Sequence, residues 1–210
     1  MDKRCLKIKE VLDQMYPDAY CELNFSNELE LTLAVLLSAQ TTDKAVNKLT
    51  KTLFKKYQSL DDYLNVELNE LENDLRSIGL YKNKAKNIKK LALLVKEEYG
   101  GKIPNDRPSL ESLPGVGRKT ANVVLSCGFN IPTIAVDTHV ERVSKRLRLA
   151  YANDSVLKVE EKLMRKFPKE MWSKLHHQLI FFGRYHCKAI NPECIDCALK
   201  DLCRYSNKNK

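Results

Sequence analysis

Lys119 sits in the stretch Leu113-Pro-Gly-Val-Gly-Arg-Lys-Thr-Ala121. Two glycines around one small apolar residue, running straight into helix-forming sequence, make a tight hairpin between helices, with Lys119 in the first turn of the second. Glycine serves where φ must be positive or where another backbone comes close, so Gly115 and Gly117 leave the amides around Val116 bare. Bare amides at a helix start attract phosphate. The same helix end disfavours a second positive charge by about 0.3 to 1 kcal/mol, and Arg118 adds a little, so Lys119 leans toward the neutral amine, a nucleophile. That is less than one pKa unit, so reactivity near neutral pH also requires partial burial. Taken alone, the stretch reads equally as a helix-to-helix turn with a solvated basic pair.

Two further groups have the residue types and spacing for chemistry. Cys187-x6-Cys194-x2-Cys197-x5-Cys203 puts four thiols on one short loop, which suits tetrahedral zinc or a four-iron, four-sulfur (4Fe-4S) cluster. Only one pair is close, so the wider loop favours the bulkier cluster. Arg184, Lys188, Lys200 and Arg204 surround these ligands, either to offset thiolate charge or to reach phosphate, with Lys188 the reaching element. Asp137 lies in Ile134-Ala-Val-Asp-Thr-His-Val-Glu141, before helical sequence. There it reads as an N-cap, although Thr138 with Glu141 also fits a capping box, and His139 beside it either finishes the cap or touches a ligand. A capping position also holds a carboxylate rigidly, so the two roles are compatible.

Length and composition bound these readings. The chain has 210 residues, 43% apolar and 30% charged, with a formal charge of +9, enough for one large or two small domains of a soluble protein. Residues 80 to 107 carry eight Lys/Arg against three Asp/Glu, and residues 133 to 210 sixteen against nine. Residues 22 to 79 reverse the balance, with six against ten. Such asymmetry presents a basic face to a polyanion, of which nucleic acid is the commonest, or is ordinary lysine-rich surface. The longest apolar runs, Leu33 to Leu37 and Leu91 to Val95, are too short to span a membrane, and the first residues carry no export signal. Seven cysteines, an odd number, point to a reducing cytoplasm.

The elements that must position these groups all have helical period, and no alternating run is convincing as a strand, which predicts an all-α protein. Helices are expected over residues 3–15, from a cap at Ser26, from Thr42, near 60–65 and 67–77, over 82–99 to Gly100-Gly101, over 109–113 and over 118–128. Pro132 marks a boundary. Beyond it come helices near 138–149, 155–167 and 169–184. In the last of these, His176 and His177 read as one core and one surface residue, and Trp172 as core.

Together, Leu113 to Ala121, Asp137 and the Cys187 to Cys203 spacing resemble the helix-hairpin-helix DNA glycosylases with an iron-sulfur loop. The likeness includes Leu37-Ser-Ala-Gln-Thr-Thr-Asp43 and Ile78-Gly-Leu-Tyr81 followed by Lys84-Ala85, and runs over essentially the whole chain. The resemblance implies two helical lobes, residues 22–132 and residues 1–21 plus 133–210, with a DNA-binding cleft between them. It implies that Lys119 attacks the sugar of a damaged nucleotide, expels an oxidised pyrimidine and leaves a Schiff base, after which the strand is cut by β-elimination. Asp137 takes a proton or balances positive charge on the sugar. Gln40 and Leu80 match the positions assigned to insertion into the duplex; read without the likeness, they are a helix-terminal amide and a core leucine. Gly115, Val116, Gly117, Arg118, His139 and Lys188 are the further expected DNA contacts. The implied partner is damaged double-stranded DNA bound by a monomer, nucleoid-associated in the cytoplasm. Two rivals remain: an adenine-mismatch glycosylase, and a non-catalytic DNA-binding module with a structural metal loop.

Overall fold

The structure is a computed structural model, and it describes residues 1–205. The described residues are all-α, with no strand among them. In chain order the α-helices are α1 (Lys3–Met15), α2 (Glu28–Leu37), α3 (Asp43–Lys56), α4 (Leu60–Asn65), α5 (Leu68–Asp74), α6 (Tyr81–Glu98), α7 (Arg107–Ser112), α8 (Arg118–Gly128), α9 (Thr138–Arg146), α10 (Val156–Lys166) and α11 (Trp172–Phe181). None is long and apolar enough to cross a membrane. The chain divides into two compact units, Glu22–Ile131 and Met1–Cys21 with Pro132–Lys210.

In the unit Glu22–Ile131, α2 is the central element. Residues Leu31 through Leu37 are all buried, as expected of a helix apolar all round, and α3, α6 and α8 pack against it. The cap falls one residue later than the sequence suggests. Asn27 Oδ1 accepts from the Glu30 amide at 2.9 Å, while Ser26 donates its own amide to the Glu30 carboxylate. Thr42 caps α3 as expected. The long α6 buries Ala85, Ile88, Leu91, Ala92 and Val95 and ends where Gly101 donates to the Val95 carbonyl. Both Gly100 and Gly101 there have positive φ.

The unit of residues 1–21 and 132–210 is built on α1, α9, α10 and α11 around Ile8, Leu12, Val140, Val143, Leu163 and Leu179. Cys187, Leu199 and Cys203 belong to the same cluster, so the cysteine loop is continuous with the core. The single helix expected over 169–184 is three segments. A 3-10 turn over Lys169–Met171 leads into α11, which passes into a π-helical turn over Phe182–His186 and hands the chain to Cys187. His176 and His177 are both buried, correcting the expectation of one surface residue. Trp172 packs half-buried against the core, its indole N–H satisfied by the Phe167 carbonyl.

Candidate active site and nucleic-acid interface

In Glu22–Ile131 the hairpin is anchored by Leu113 and Val116, both buried, and by a hydrogen bond from Arg107 on α7 to Asn122 on α8. Its two glycines do different work. Gly115 has φ of +82°, and a Cβ there would lie 2.9 Å from Asn87 Nδ2 of α6 and 2.9 Å from Leu36 Cδ1 of α2. Gly117 has an ordinary extended backbone, φ −98° and ψ 178°, and a Cβ there would meet nothing within 4 Å. Gly115 is therefore required by the fold, whereas Gly117 keeps an open approach to the start of α8.

The bare amides are also differently placed from the sequence expectation. Val116 donates its N–H to the Leu113 carbonyl at 3.0 Å, so its amide is engaged and its side chain buried. The open donors lie one turn later. No side chain caps α8, its first helical bond runs from Ala121 to Gly117, and the amides of Gly117, Lys119 and Thr120 have no protein acceptor among the described residues. Aligned open N–H groups at a helix start form an anion site. Lys119 projects from the same turn, exposed, and Nζ makes no hydrogen bond or ion pair among the described residues. The folded chain does not supply the partial burial that the sequence reading required of it.

Gln40 and Leu80, in the same unit, are both exposed and both left-handed, with φ of +54° and +59°. Leu80 is 51% exposed, so the core reading fails for it. Such a conformation costs a non-glycine residue about 1 to 3 kcal/mol, and it persists only where the surroundings impose it.

In the other unit Asp137 is the N-cap of α9. Its Oδ1 accepts from the amides of His139 at 2.9 Å and Val140 at 2.8 Å, while Oδ2 takes no hydrogen bond among the described residues. The Thr138 capping box does not form, because Glu141 instead pairs with Lys145 at 2.6 Å. One carboxylate oxygen is thus committed to the cap and the other is open. His139 is half-buried, with Nδ1 3.1 Å from Arg142 Nη2 and Cβ packed where Gly183 leaves room. Burial, the largest influence, holds its pKa below the usual histidine range against the pull of Asp137.

Cys187, Cys194, Cys197 and Cys203 line one pocket together with Leu147 and Phe182, and no disulfide forms. Two arginines of α9, distant in sequence, hold this loop. Arg146 donates to Cys187 Sγ at 3.2 Å and to the Lys188 carbonyl at 2.8 Å, and stacks 3.9 Å from the Tyr205 ring. Arg142, one turn earlier, donates to the carbonyls of Gly183 at 2.7 Å and Cys187 at 3.2 Å. The Tyr205 amide donates to Cys203 Sγ at 3.3 Å. Donors aimed at sulfur suit a thiolate cage. Burial pushes the Cys187 thiol up and Arg146 opposes it. Among the described residues no three His, Cys, Asp or Glu side chains are disposed around a single ion. Lys188, expected to reach phosphate, is paired with Glu193 at 2.7 Å.

A family model of the HhH-GPD superfamily base excision DNA repair proteins matches residues 33–169, from the buried α2 through the hairpin and Asp137 to the end of α10. The chain belongs to this superfamily. Among HhH-GPD relatives, endonuclease III of Bacillus subtilis (strain 168) is 61% identical over 197 residues, covering 94% of this chain and 90% of that protein. Endonuclease III of Escherichia coli (strain K12) is 46% identical over 203 residues, covering 97% and 96%. The solved structure of a trapped endonuclease III–DNA covalent intermediate, an estranged-adenine complex, matches with a TM-score of 0.92 at 56% identity, over 97% of each chain. A thermostable thymine-DNA glycosylase matches with a TM-score of 0.89 at 25% identity.

Within this HhH-GPD chain, sequence reasoning missed Arg142 and Arg146, and gave Lys84 no role beyond its place in the likeness. The arginines stand four apart on α9, and that spacing was the available signal for one basic stripe facing a common partner.

Proposed function

We propose that the chain is a base-excision-repair DNA glycosylase with abasic-site lyase activity, which removes oxidised pyrimidines from damaged duplex DNA and cuts the strand by β-elimination. The observation that carries this reading is the nearly full-length likeness to endonuclease III, including the trapped covalent DNA intermediate. The hairpin supports it with open amides for a backbone phosphate and an unpaired amine on the same turn.

In this reading the damaged nucleotide is extruded, since a stacked base is unreachable, at a cost of a few kcal/mol that is smallest for a damaged base. Gln40 and Leu80, already exposed and bent outward, fill the gap. Lys119 Nζ, as the free amine, attacks C1′ of the sugar. The C1′–N bond to the base breaks, the base leaves with its electron pair and takes up a proton, and ring opening gives a C1′=Nζ Schiff base. Loss of a C2′ proton then expels the 3′ phosphate, and hydrolysis of the imine returns Lys119 to the amine. Lys119 is exposed in the folded chain, so its amine is open to a duplex bound at the start of α8. Asp137, held by its cap bonds to Oδ1, offers Oδ2 to balance positive charge on the sugar or to receive a proton.

Cys187, Cys194, Cys197 and Cys203 would hold a 4Fe-4S cluster, whose ligation by their thiolates would close the loop. The thiol set and the donors from Arg146 and Tyr205 fit such a cluster. The protein acts in the cytoplasm.

Borohydride added during reaction with an oxidised-pyrimidine duplex tests the assignment. Wild type leaves a stable protein–DNA adduct mapping to Lys119. Lys119→Gln retains the α8 amides, so it binds the duplex but gives no adduct and no cleavage. An undiminished adduct in Lys119→Gln overturns the residue assignment. No adduct or cleavage by wild type, on oxidised pyrimidines or abasic sites, favours a non-catalytic DNA-binding module.

A further inference from the structure

Lys84, in the first turn of α6, is 4% exposed, unusual for a lysine, and pairs with no carboxylate among the described residues. Its Nζ makes one hydrogen bond among the described residues, to Thr41 Oγ1 at 3.0 Å, across 43 positions of sequence. Its backbone N–H donates to the Leu80 carbonyl at 3.0 Å. Thr41 adjoins Gln40 and is held in turn by its amide on the Ser38 carbonyl at 3.1 Å. That backbone bond is the first i→i−4 bond of α6, so the Lys84 side chain ties the helix that begins at the left-handed Leu80 to Thr41, the neighbour of the left-handed Gln40.

Burying an amine with a single hydroxyl partner is unfavourable, and burial pulls the Lys84 pKa down. A methylene-only side chain would fill the same volume without that cost. What the ammonium adds is direction, since it binds the loop of Gln40 to the helix that starts at Leu80. Two bulky residues stay left-handed only where the surroundings over-determine them. The Lys84–Thr41 bond is a polar link between the two segments.

We propose that Lys84 is a positioning residue that joins Gln40 and Leu80 into one preformed, two-pronged wedge, and that its contribution is largest for a lesion still stacked and paired in the duplex. The inference rests on the glycosylase reading above. A preformed wedge avoids the loss of loop freedom on insertion, and that saving is largest where a stacked base must be displaced. At a pre-formed abasic site no base has to be unstacked, so less of the saving is realised.

The test compares single-turnover cleavage of two duplexes, one with a paired oxidised pyrimidine and one with a pre-formed abasic site. Lys84→Met, similar in length and suited to burial, should slow the paired-lesion reaction at least five-fold more than the abasic reaction. A 2-aminopurine beside the lesion should report slower extrusion. Thr41→Val should act in the same direction, and Lys84→Met with Thr41→Val should be no slower than the worse single variant, because both remove one bond. Equal slowing on both duplexes, or none on either, overturns the proposal, as does full additivity of the two substitutions. A fall in melting temperature alone slows both reactions alike, so Thr41→Val keeps the comparison usable if Lys84→Met folds poorly. Wild type inactive on both duplexes refutes the glycosylase reading; wild type active with an unchanged substrate ratio in Lys84→Met refutes the wedge alone.

Discussion

Substituting the two hairpin glycines separately should divide folding from DNA binding. At Gly115, alanine must accept φ of +82° and bring its Cβ to 2.9 Å from both Asn87 Nδ2 and Leu36 Cδ1. The left-handed conformation costs an L-residue about 1 to 2 kcal/mol, and crowding of a packed interior typically about 1 to 3 kcal/mol more. A Gly115→Ala loss near 3 kcal/mol corresponds to a fall in Tm of roughly 6 to 12 °C for a chain of this size. At Gly117, φ of −98° is ordinary for valine and the added atoms enter open space. Losing a good N-cap residue is partly offset by the reduced freedom of the unfolded chain, so Gly117→Val should change stability by no more than about 1 kcal/mol. The isopropyl group instead occupies the approach to the open amides of α8. A hydrogen bond to a charged group is worth about 1.5 to 3 kcal/mol, so duplex affinity should fall by about 10- to 100-fold, for damaged and undamaged DNA alike. Calorimetry on both variants and fluorescence anisotropy at one fixed salt concentration make the comparison. Wild-type melting of Gly115→Ala would refute the packing argument. Wild-type duplex affinity of Gly117→Val, or a loss confined to lesion DNA, would refute the assignment of the amides to phosphate.

Cys197→Ser should abolish the broad visible absorption expected of an iron-sulfur cluster and lower the melting of the unit to which the cysteine loop belongs, as read by iron analysis and calorimetry; full iron content with unchanged melting would refute it. Asp137→Asn should keep the cap bonds, and with them stability to within about 0.5 kcal/mol, yet turn over slowly in single-turnover assays, whereas Asp137→Ala should also lose about 1 kcal/mol of stability. His177 is held by burial, with His176 adding to the effect, at a pKa of about 2. The unfolded chain binds that proton near pH 6.5 and the folded chain does not, so stability should fall on acidification below pH 6.5, by roughly 1.4 kcal/mol per pH unit from this group. His177→Phe should flatten that slope between pH 6.5 and 5 in denaturant titrations, whatever it does to stability at pH 8.

What the sequence by itself determined was set by short-range rules. Helix periodicity, caps such as Thr42 and Asp137, the extent of α8, the hairpin and the four-cysteine spacing all depend on residues within a few positions of each other. Only the tertiary structure decided which of two identical glycines is constrained, because Gly115 meets Asn87 and Leu36 and Gly117 meets nothing. It moved the open amides from Val116 to the first turn of α8, and turned Leu80 out of the core into an exposed left-handed corner. It also set Arg142 and Arg146 against the cysteine loop and Lys84 against Thr41. Each of these depends on a partner tens of residues away. Local propensity and periodicity say which face of a helix is apolar, but not which distant group arrives there to bond or crowd it.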